Sequence, residues 1–472
     1  MSFVPVLLAT DVLLWLLVAV VSAYAWYCSR HEHLAAPWGR VFRSPAAVGS
    51  AVVLAAYLLV GLADSLHFRP ALERKDPKTP TAYSVDVLSL LDLAMSHLRG
   101  RAEKTYSAPL ATRSFAKEQI ERPDGKTQRD FPRLRFGGAH LEDEGARAGD
   151  IAAKAFAGVA LAAVVWGGWA LLYWPLRRRF PDVPWYAALV ALAVILALAG
   201  PAFWISTSYH VLGTDKVGQD IVYLALKSIR TSIVIGTITT LVLLPLGVAL
   251  GIMAGYFKGW VDDAIQYLYT TLNSIPSVLL IAAAVLMLQV FLDKNADWFT
   301  TAAQRADMRL LCLCAILGLT SWTGLARLLR GESLKLSELE YIQAAHAFGV
   351  SNVRILLRHI LPNVAHIVII TLVLDFSGFV LTEAVLSYIG VGVDPSTTSF
   401  GTMINAARLE MARDPMVWWS LSAAFVFMLV LVLAANLLAD AVRDGFDPRV
   451  RVGAIDLSMS TRDGGTVAGA AR

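Results

Sequence analysis

The chain has 472 residues, of which 56% are hydrophobic and 17% are charged, and its formal net charge is +4 at pH 7. Its mean hydropathy of +0.57 is too high for a soluble globular protein, in which roughly half of the residues are apolar and a quarter are charged. The small net charge, with basic residues spread over many loops, gives no support to nucleic-acid binding. The composition indicates a polytopic membrane protein.

Long apolar runs predict the number of membrane spans. A helix needs about 20 apolar residues to cross the hydrocarbon core of a bilayer. The first run lacks a basic leading segment and a small-residue cleavage site followed by soluble sequence, so we interpret it as a span and not as a signal peptide. Nine such runs cover roughly residues 3–27, 45–66, 152–174, 184–206, 231–255, 265–291, 309–329, 364–392 and 417–439.

The distribution of Lys and Arg predicts the orientation of the chain. These residues are concentrated after the first, third, seventh and ninth runs. Short loops rich in Lys and Arg stay in the cytoplasm, and with nine spans all four loops lie on one side. We therefore expect the N-terminus outside, the C-terminus inside and the segment 330–363 in the cytoplasm.

A long polar insert, 68–150, separates the second and third runs. Long loops are translocated regardless of their charge, so we place the insert outside. The periodicity of residues 84–98 predicts one amphipathic helix, which either packs within a small domain or lies on the membrane. Its apolar face carries Val87, Leu91, Ala94, Met95 and Leu98. Residues 119–150 are rich in Arg, Asp, Glu, Gly and Pro, as is typical of loops.

The segment EYIQAAHAFGVSNVRILLRHILPNV, residues 340–364, carries several charges although apolar runs flank it on both sides. Its spacing predicts two short helices, the first ended by Gly349 and the second running from Ser351 or Asn352 to Pro362. The first helix presents Tyr341, Ala345 and Phe348 at helical spacing. Either this element contacts a partner protein, or it lies on the lipid surface as an amphipathic helix.

Motifs of the common catalytic classes do not occur in the sequence. It contains no G-x-x-x-x-G-K-[ST] phosphate loop, no H-E-x-x-H zinc motif and no G-x-S-x-G nucleophile elbow. The nearest approach to a metal site is His31-Glu32-His33, which we interpret as a solvated loop because no further ligands lie nearby in sequence. Three cysteines are too few, in too apolar a setting, for a disulfide framework. We predict neither catalytic residues nor a metal site.

The segment QAAHAFG…HILPN resembles the EAA loop of ABC-importer permeases of the dipeptide/oligopeptide/nickel class, in the C-type subunit. Other segments resemble further motifs of this family, in order, and together they cover about 207–450. These segments are LGTDKVGQD (212–220), GIMAGYFKGWVDDAIQYLYTTLNSIPSVLL (251–280), SWTGLARLLRGESLKLSELEYIQAA (321–345), TEAVLSYIGVGVDPSTTSFGTMI (382–404) and LLADAVRDGFDPRV (437–450).

Several features depart from the family pattern. Gln343 stands where the EAA loop usually has Glu, and Gln219 replaces the usual Arg of the LGTD segment. Asp375 lies within a span, where an apolar residue is expected. The family core has one span before its periplasmic loop, whereas this chain has four, together with the insert. The resemblance does not explain what these additions do.

The apolar runs predict an all-α fold with about nine transmembrane helices, and the resemblance implies that its core is type I ABC importer-like. The expected organisation is an N-terminal membrane region 1–206 with four spans, a permease core 207–450 that contains the coupling loop 330–363, and a disordered cytoplasmic tail 451–472. In such importers the EAA loop fits a cleft on a separate ATPase subunit and passes its closure to the spans as a rigid-body movement.

The family motifs assign candidate residues to three sites. The expected ATPase-coupling residues are Glu340, Tyr341, Gln343, Ala344, Ala345, Phe348, Gly349 and Pro362. The residues expected at the external mouth, where a binding protein docks, are Gly213, Thr214, Asp215, Gly218 and Asp220. Asp375 and Glu383 are candidates for the translocation path, since charges within a membrane usually face a cavity or a partner. Asp375 could instead be protonated or hydrogen-bonded within the bundle, and the family counterpart of Glu383 favours a structural or gating role over substrate choice. Asp262 and Asp263 are expected at a cytoplasmic turn, solvated or paired with Lys258.

The resemblance further implies a permease subunit in the bacterial inner membrane, surrounded by lipid, that performs no chemistry and binds no cofactor itself. The implied partners are a homologous B-type permease subunit, two ATPase subunits that bind ATP and Mg²⁺, and a periplasmic or lipid-anchored binding protein. The rival hypothesis is a proton-coupled secondary transporter using Asp375 and Glu383, which predicts inverted repeats. An intramembrane aspartyl protease would need a mate for Asp375. The substrate, whether peptide, nickel chelate or another solute, stays open.

Overall fold

The computed structural model describes residues 3–71, 83–121 and 127–446. This part of the chain is mostly helical, and nine of its helices are long and apolar enough to cross a membrane. The predicted number of spans is therefore confirmed. The tail 451–472 lies outside the described residues, so its predicted disorder stays a prediction.

The chain begins with a short strand and not with the first span. Strand β1 (Phe3–Val6) pairs antiparallel with β2 (His67–Pro70), which also pairs with β3 (Leu88–Ser89). The span α1 (Ala9–Ser29) thus begins later than expected, because residues 3–6 direct their backbone groups into the sheet. Since β1 and β2 share a sheet, the N-terminus lies on the same side as the insert. Two further helices, α2 (Glu32–Val41) and α3 (Pro45–Asp64), lead from α1 to β2.

The insert contains more regular structure than its sequence predicts. Residues 84–98 form not one helix but β3, α4 (Leu90–Ala94) and α5 (Ser96–Arg99). The single helix was wrong because Ser89 and Asp92 bond reciprocally to each other's backbone N–H, a capping box that starts a new helix after the strand. The region predicted as loop holds the hairpin strand β5 (Thr127–Asp130), paired with β4 (Glu118–Glu121).

Two spans, α6 (Arg147–Arg179) and α7 (Trp185–Ser206), form a helical hairpin after the insert. They cross where Gly158 meets Gly200. A Cβ atom added at Gly158 would lie 2.6 Å from the Gly200 carbonyl oxygen, so this close approach requires glycine.

The second half of the chain is organised around α8 (Ile221–Phe257), which packs against six of the later helices. The predicted run 265–291 is divided, because Pro276 has no N–H to continue the preceding helix and instead begins a new one. The remaining helices are α9 (Gly259–Asn273), α10 (Ser277–Lys294), α11 (Ala302–Ser321), α12 (Thr323–Ser337), α13 (Glu340–Ala347), α14 (Asn352–Ile355), α15 (Leu361–Ile389), α16 (Phe400–Arg408) and α17 (Trp419–Phe446).

The two halves of the chain share one hydrophobic core. Leu14 of α1 and Tyr106 of the insert are buried together with residues of α8, α11, α15 and α17. The expected boundary at residue 207 therefore stays a prediction, because burial does not separate the two regions. Asp92 of the insert binds Tyr223 and Lys227 in the first part of α8, whereas Tyr256, at the other end of that helix, bonds to Asn352 of α14.

The sides of the membrane are testable by cysteine labelling. In a variant without the three native cysteines, Ser96→Cys in the insert and Ser351→Cys beside α14 place a single thiol at exposed positions near opposite ends of α8. An impermeant maleimide added to whole cells is expected to label position 96 only. Lysed cells, in which both positions should react, are the control. Labelling of position 351 alone in whole cells would invert the orientation.

Candidate functional site

The segment that the sequence singles out forms a compact two-helix element, α13 and α14. Ile342 of α13 and Ile355 of α14 are buried against the rest of the chain. Between the helices Gly349 has φ +73°, a left-handed conformation that favours glycine. The N–H of Val350 donates to the Ala345 carbonyl at 3.1 Å, as in a Schellman motif. The predicted glycine stop is confirmed.

The second helix does not end at Pro362 as the sequence predicts. After α14 a π-helical turn (Leu356–Ile360) leads directly into the span α15. Pro362 lies in the first turn of α15, a position at which the missing N–H is tolerated. The two-helix element is therefore joined to a membrane span by an uninterrupted helical rod.

One face of the element is exposed and apolar. Phe348 is 88% exposed, more than any other large hydrophobic side chain among the described residues. Tyr341 and Val353 of the same element, and Leu357 of the π-helical turn, are also exposed. Ala344 is exposed, whereas Ala345 packs against the hydrophobic core. Ala345, expected on the outer face, thus faces its own chain.

Gln343 has a specific role in the position where the resembling family has glutamate. Its Nε2 donates to the carbonyl oxygen of Glu338 at 3.1 Å, at the end of α12. A glutamate carboxylate has no proton to donate at neutral pH. The departure therefore adds a bond between α12 and α13.

Asp262 does not pair with Lys258. Its carboxylate binds the Arg330 guanidinium in a bidentate pair of 2.5 and 2.7 Å, and Lys258 pairs with Glu338. The Arg330 hydrogen bond, opposed by burial, holds the pKa of Asp262 below its ordinary value. The prediction was wrong because Asp262 lies within α9, on the side that faces α12, and not in a turn.

The LGTD segment is a junction between the insert and α8. The Thr214 hydroxyl accepts the N–H of Ser107 at 2.7 Å, and the Thr214 carbonyl accepts from the Trp419 indole at 3.0 Å. Asp220 caps α8 by accepting the N–H of Val222 at 2.8 Å. Four of the five residues expected at an external mouth are buried, namely Gly213, Thr214, Gly218 and Asp220. Only Asp215 retains partial access to solvent.

A buried histidine lies between two carboxylates at this junction. His210 Nδ1 is 2.8 Å from Asp220, and its Nε2 is 3.5 Å from Glu103, a distance for a charge contact and not for a well-formed hydrogen bond. Burial alone would lower the pKa of His210, but bonds and charges from Asp220 and Glu103 outweigh it and raise the pKa to about 9. Glu103 also accepts three backbone N–H groups, from residues 135–137, and its pKa falls to about 2 although burial opposes this.

The His210 contact predicts a pH-dependent stability. Its pKa in the folded protein, about 9, exceeds the unfolded value near 6.5, so its contribution is complete below about pH 6.5 and is lost as the pH rises through 9. The contribution is at most about 3 kcal/mol. The thermal midpoint of the wild type should fall between pH 6.5 and 9, and more steeply than that of His210→Gln. His140→Gln, which removes a more exposed ring, should follow the wild type; equal slopes in all three proteins would contradict the assignment.

The two carboxylates of α15 lie in different environments. Asp375 is half-buried, and no described residue forms a hydrogen bond or an ion pair with its carboxylate. It shares one helical face with Thr371, Gly378 and Thr382, of which Gly378 is exposed and the two threonines are half-buried. Glu383 is 1% exposed and accepts hydrogen bonds from Ser387 at 2.6 Å and from Ser399 at 2.8 Å. Glu383 thus links α15 to the start of α16, and in this conformation it lines no open space.

A buried ion cluster near the beginning of α1 was not identified from the sequence. Arg230 of α8 binds Asp11 at 2.5 Å, and Asp307 of α11 accepts the N–H of Thr10 at 3.1 Å. His67 Nδ1 lies 2.7 Å from Asp11. The available signal was the presence of Asp11 and Arg230 near apolar runs, where charges need partners. Among the described residues, no group of three or more His, Cys, Asp or Glu side chains could hold a metal ion.

Comparisons with known proteins found similarity to the second half of the chain. Residues 247–452 match the family model described as binding-protein-dependent transport system inner membrane component. The oligopeptide transport system permease protein OppC of Mycobacterium bovis is 32% identical over 242 residues, which cover 51% of this chain and 77% of that protein.

Two other relatives and one solved structure are similar to about half of this chain. The glutathione transport system permease protein GsiD of Pectobacterium atrosepticum is 32% identical over 52% of this chain and 74% of its own length. The dipeptide transport system permease protein DppC of Lactococcus lactis is 30% identical over 51% of this chain and 64% of its own. An inward-facing structure of the MetNI methionine ABC transporter aligns with 47% of this chain and 93% of its own at 16% identity and a TM-score of 0.33.

Proposed function

Because this chain belongs to the family of binding-protein-dependent transport system inner membrane components, as a permease of the peptide class of ABC importers, we propose that it forms half of a peptide translocation path and receives its driving force through α13 and α14. It is a multi-pass protein of the bacterial inner membrane. Its relatives are permease subunits and not ATPases. ATP and Mg²⁺ would bind to two partner ATPase subunits.

The observation that supports a coupling role best is the exposed Phe348 ring on a firmly anchored element. A partner can bury an exposed aromatic ring without breaking any contact within the chain. Aromatic residues contribute much of the binding energy at protein interfaces. The continuous helix from α14 through α15 provides a rigid connection to the membrane domain. Movement of an ATPase against Phe348 would therefore displace α15 as a body. The opposite, outer end of the protein would receive the binding protein.

We propose that the translocation path runs along the face of α15 that carries Asp375. Its face of α15 carries small or hydroxyl-bearing residues, which allow close approach of another helix or contact with a polar solute. A half-buried carboxylate without a partner in the described chain suits the amino group of a peptide. We assign this face to the contact with the second, B-type permease subunit, whether that subunit is distinct or identical. Peptides are the proposed cargo because two of the relatives are named for oligopeptide and dipeptide transport.

Reconstitution tests the proposal. The permease is purified with its co-expressed partner subunits and placed in proteoliposomes, with ATP and Mg²⁺ inside and the binding protein with a labelled peptide outside. ATP should drive uptake that a protonophore does not abolish. Failure of ATPase subunits to co-purify, or uptake without ATP, would refute the proposal.

The same vesicles test proton-coupled transport through Asp375 and Glu383. In Glu383→Gln the amide oxygen still accepts from Ser387 and Ser399, so packing should survive although no titratable proton remains. Glu383→Gln should therefore retain ATP-driven uptake, whereas Asp375→Asn, which removes the charge proposed to bind the peptide amino group, should lower it. Complete loss of uptake in Glu383→Gln, with normal assembly, would favour proton coupling.

A further inference from the structure

An apolar crevice lies between the first two spans and the helices of the permease core. Its volume is about 320 Å³, and five helices contribute to its walls: α1, α3, α8, α15 and α17. The side chains that define it include Leu17, Leu54, Tyr57, Ile233, Phe376 and Leu431. No described side chain fills it.

The crevice exists because α1 is attached near its ends and not along its middle. Near its outer end, Thr10 and Asp11 bind Arg230 and Asp307. Beyond its inner end, α2 packs through Val41 in a small hydrophobic cluster with α17. Between these attachments the crevice separates α1 from α15 and α17. Any occupant would therefore complete the packing of α1 on the core.

The walls leave no polar atom available to a ligand. The Thr237 hydroxyl donates to the Ile233 carbonyl at 2.6 Å, and the Thr240 hydroxyl donates to the Gly236 carbonyl at 2.7 Å. The Tyr57 hydroxyl donates to the Phe427 carbonyl at 2.9 Å. A stably bound water needs two to four polar partners. Neither water nor a polar solute is accommodated here.

The depth of the crevice identifies what surrounds it in the bilayer. Leu17 follows the first residue of α1, Ala9, by eight positions, or about 12 Å. Leu431 follows the first residue of α17, Trp419, by twelve positions, or about 18 Å. Both values correspond to the middle of a hydrocarbon core that is about 30 Å thick. Lipid tails are the abundant apolar molecules at this depth, and Val21, exposed at the margin, marks an opening toward them.

A helix of a partner subunit does not fit. An α-helix with side chains is at least about 10 Å across and rises 5.4 Å per turn, so one turn occupies more than roughly 400 Å³. The crevice is smaller than that, so a whole helix cannot enter it. Part of a single hydrocarbon chain, which is thinner and flexible, can enter while the rest of that chain lies in the bilayer.

From this geometry we propose that one acyl chain of a membrane phospholipid occupies the crevice and fills the gap between α1 and the core. The hydrophobic effect contributes little, because a lipid tail in the bilayer is already in an apolar environment. The gain comes from dispersion contacts, which the walls of an empty void would forfeit. The chain is therefore retained by shape and not by its headgroup, and it resists extraction with the protein.

Photochemical capture tests the site in the unmodified protein. The importer is reconstituted in vesicles of phosphatidylethanolamine and phosphatidylglycerol, part of which carries a diazirine in one acyl chain. It is then extracted into lipid-free detergent, washed and irradiated, so that only retained lipid reacts. Adducts are expected on the peptide that contains Leu54 and Tyr57, and not at Leu198, which is exposed on α7. Adducts distributed equally over both regions would overturn the proposal.

Filling the crevice provides the second test. Leu17→Trp directs a bulky ring into the crevice. Leu16→Trp places the same ring at a neighbouring position, where the leucine is 55% exposed. Native mass spectrometry should find one phospholipid fewer per permease chain in Leu17→Trp than in the wild type and in Leu16→Trp. If Leu17→Trp does not assemble, Leu54→Phe takes its place. Equal lipid retention in all assembled variants would mean that the crevice holds no lipid.

Discussion

Phe348→Ser is expected to abolish ATP-driven uptake while the permease still inserts into the membrane. The ring is 88% exposed, so its loss removes no packing within the chain. A central aromatic residue of an interface typically contributes about 2 kcal/mol or more to binding, which corresponds to a roughly 30-fold loss of affinity. The measurements are the amount of ATPase subunit that co-purifies and the rate of peptide uptake.

The matched control for this prediction is Trp260→Ser. Trp260 is 80% exposed, lies at the beginning of α9 and is likewise a large aromatic residue outside the two-helix element. The Trp260→Ser variant should retain uptake and ATPase association close to those of the wild type. Phe348→Leu, which keeps an apolar side chain, should lose less than Phe348→Ser. Wild-type uptake by Phe348→Ser would show that this element does not transmit the ATPase movement.

A steric probe of the same surface belongs at Ala344 and not at Ala345. Sequence spacing favours Ala345→Trp, but Ala345 packs against the hydrophobic core, where overpacking typically costs about 1–3 kcal/mol. Loss of transport in that variant would therefore report a displaced α13. Ala344 is exposed, so a tryptophan there obstructs a partner without disturbing the fold. Gln343→Glu, in turn, would lose the donor to Glu338.

Arg230→Met is expected to destabilise the protein strongly. Arg230 is buried, and its guanidinium contacts Asp11 at 2.5 Å and Asp307 at 3.7 Å. Removal of one partner of a buried ion pair typically costs about 3–5 kcal/mol, because the remaining charge is left without compensation. The thermal midpoint of the purified protein should fall by on the order of 5–10 °C. A labelled cysteine on α1 should also become more mobile, since the pair fastens α1 to α8.

The control for Arg230→Met is Arg305→Met. Arg305 lies near the start of α11 and pairs with Asp293, with both side chains more than 40% exposed. Exposed ion pairs contribute about 0–1 kcal/mol, so this variant should unfold close to the wild-type temperature. Adding Asp11→Asn to Arg230→Met removes the buried carboxylate that has lost the Arg230 guanidinium and should recover part of the stability. Equal midpoints for Arg230→Met and Arg305→Met would show that the buried cluster does not hold α1.

Local chemistry by itself determined several features of this protein. The number of spans follows from the length of each apolar run, and the turn after α13 follows from Gly349, because only the residues of each segment enter these decisions. The order of the family motifs likewise needed no tertiary structure. The predicted helix boundaries were wrong at Pro362 and Pro276. A proline can lie at the beginning of a helix as well as after its end, and both of these prolines lie at a beginning.

Only the tertiary structure decided which distant groups meet. Asp11 and Arg230 are separated by 219 positions in sequence, and no periodicity indicates that α1 lies beside α8. Asp262 was assigned to the wrong cation because Arg330 approaches from another helix. Similarly, helical spacing groups Ala345 with Phe348, but the packing of Ala345 against the core and the exposure of Phe348 depend on where α13 rests. A sequence pattern specifies which residues share a face, whereas long-range packing determines what that face contacts.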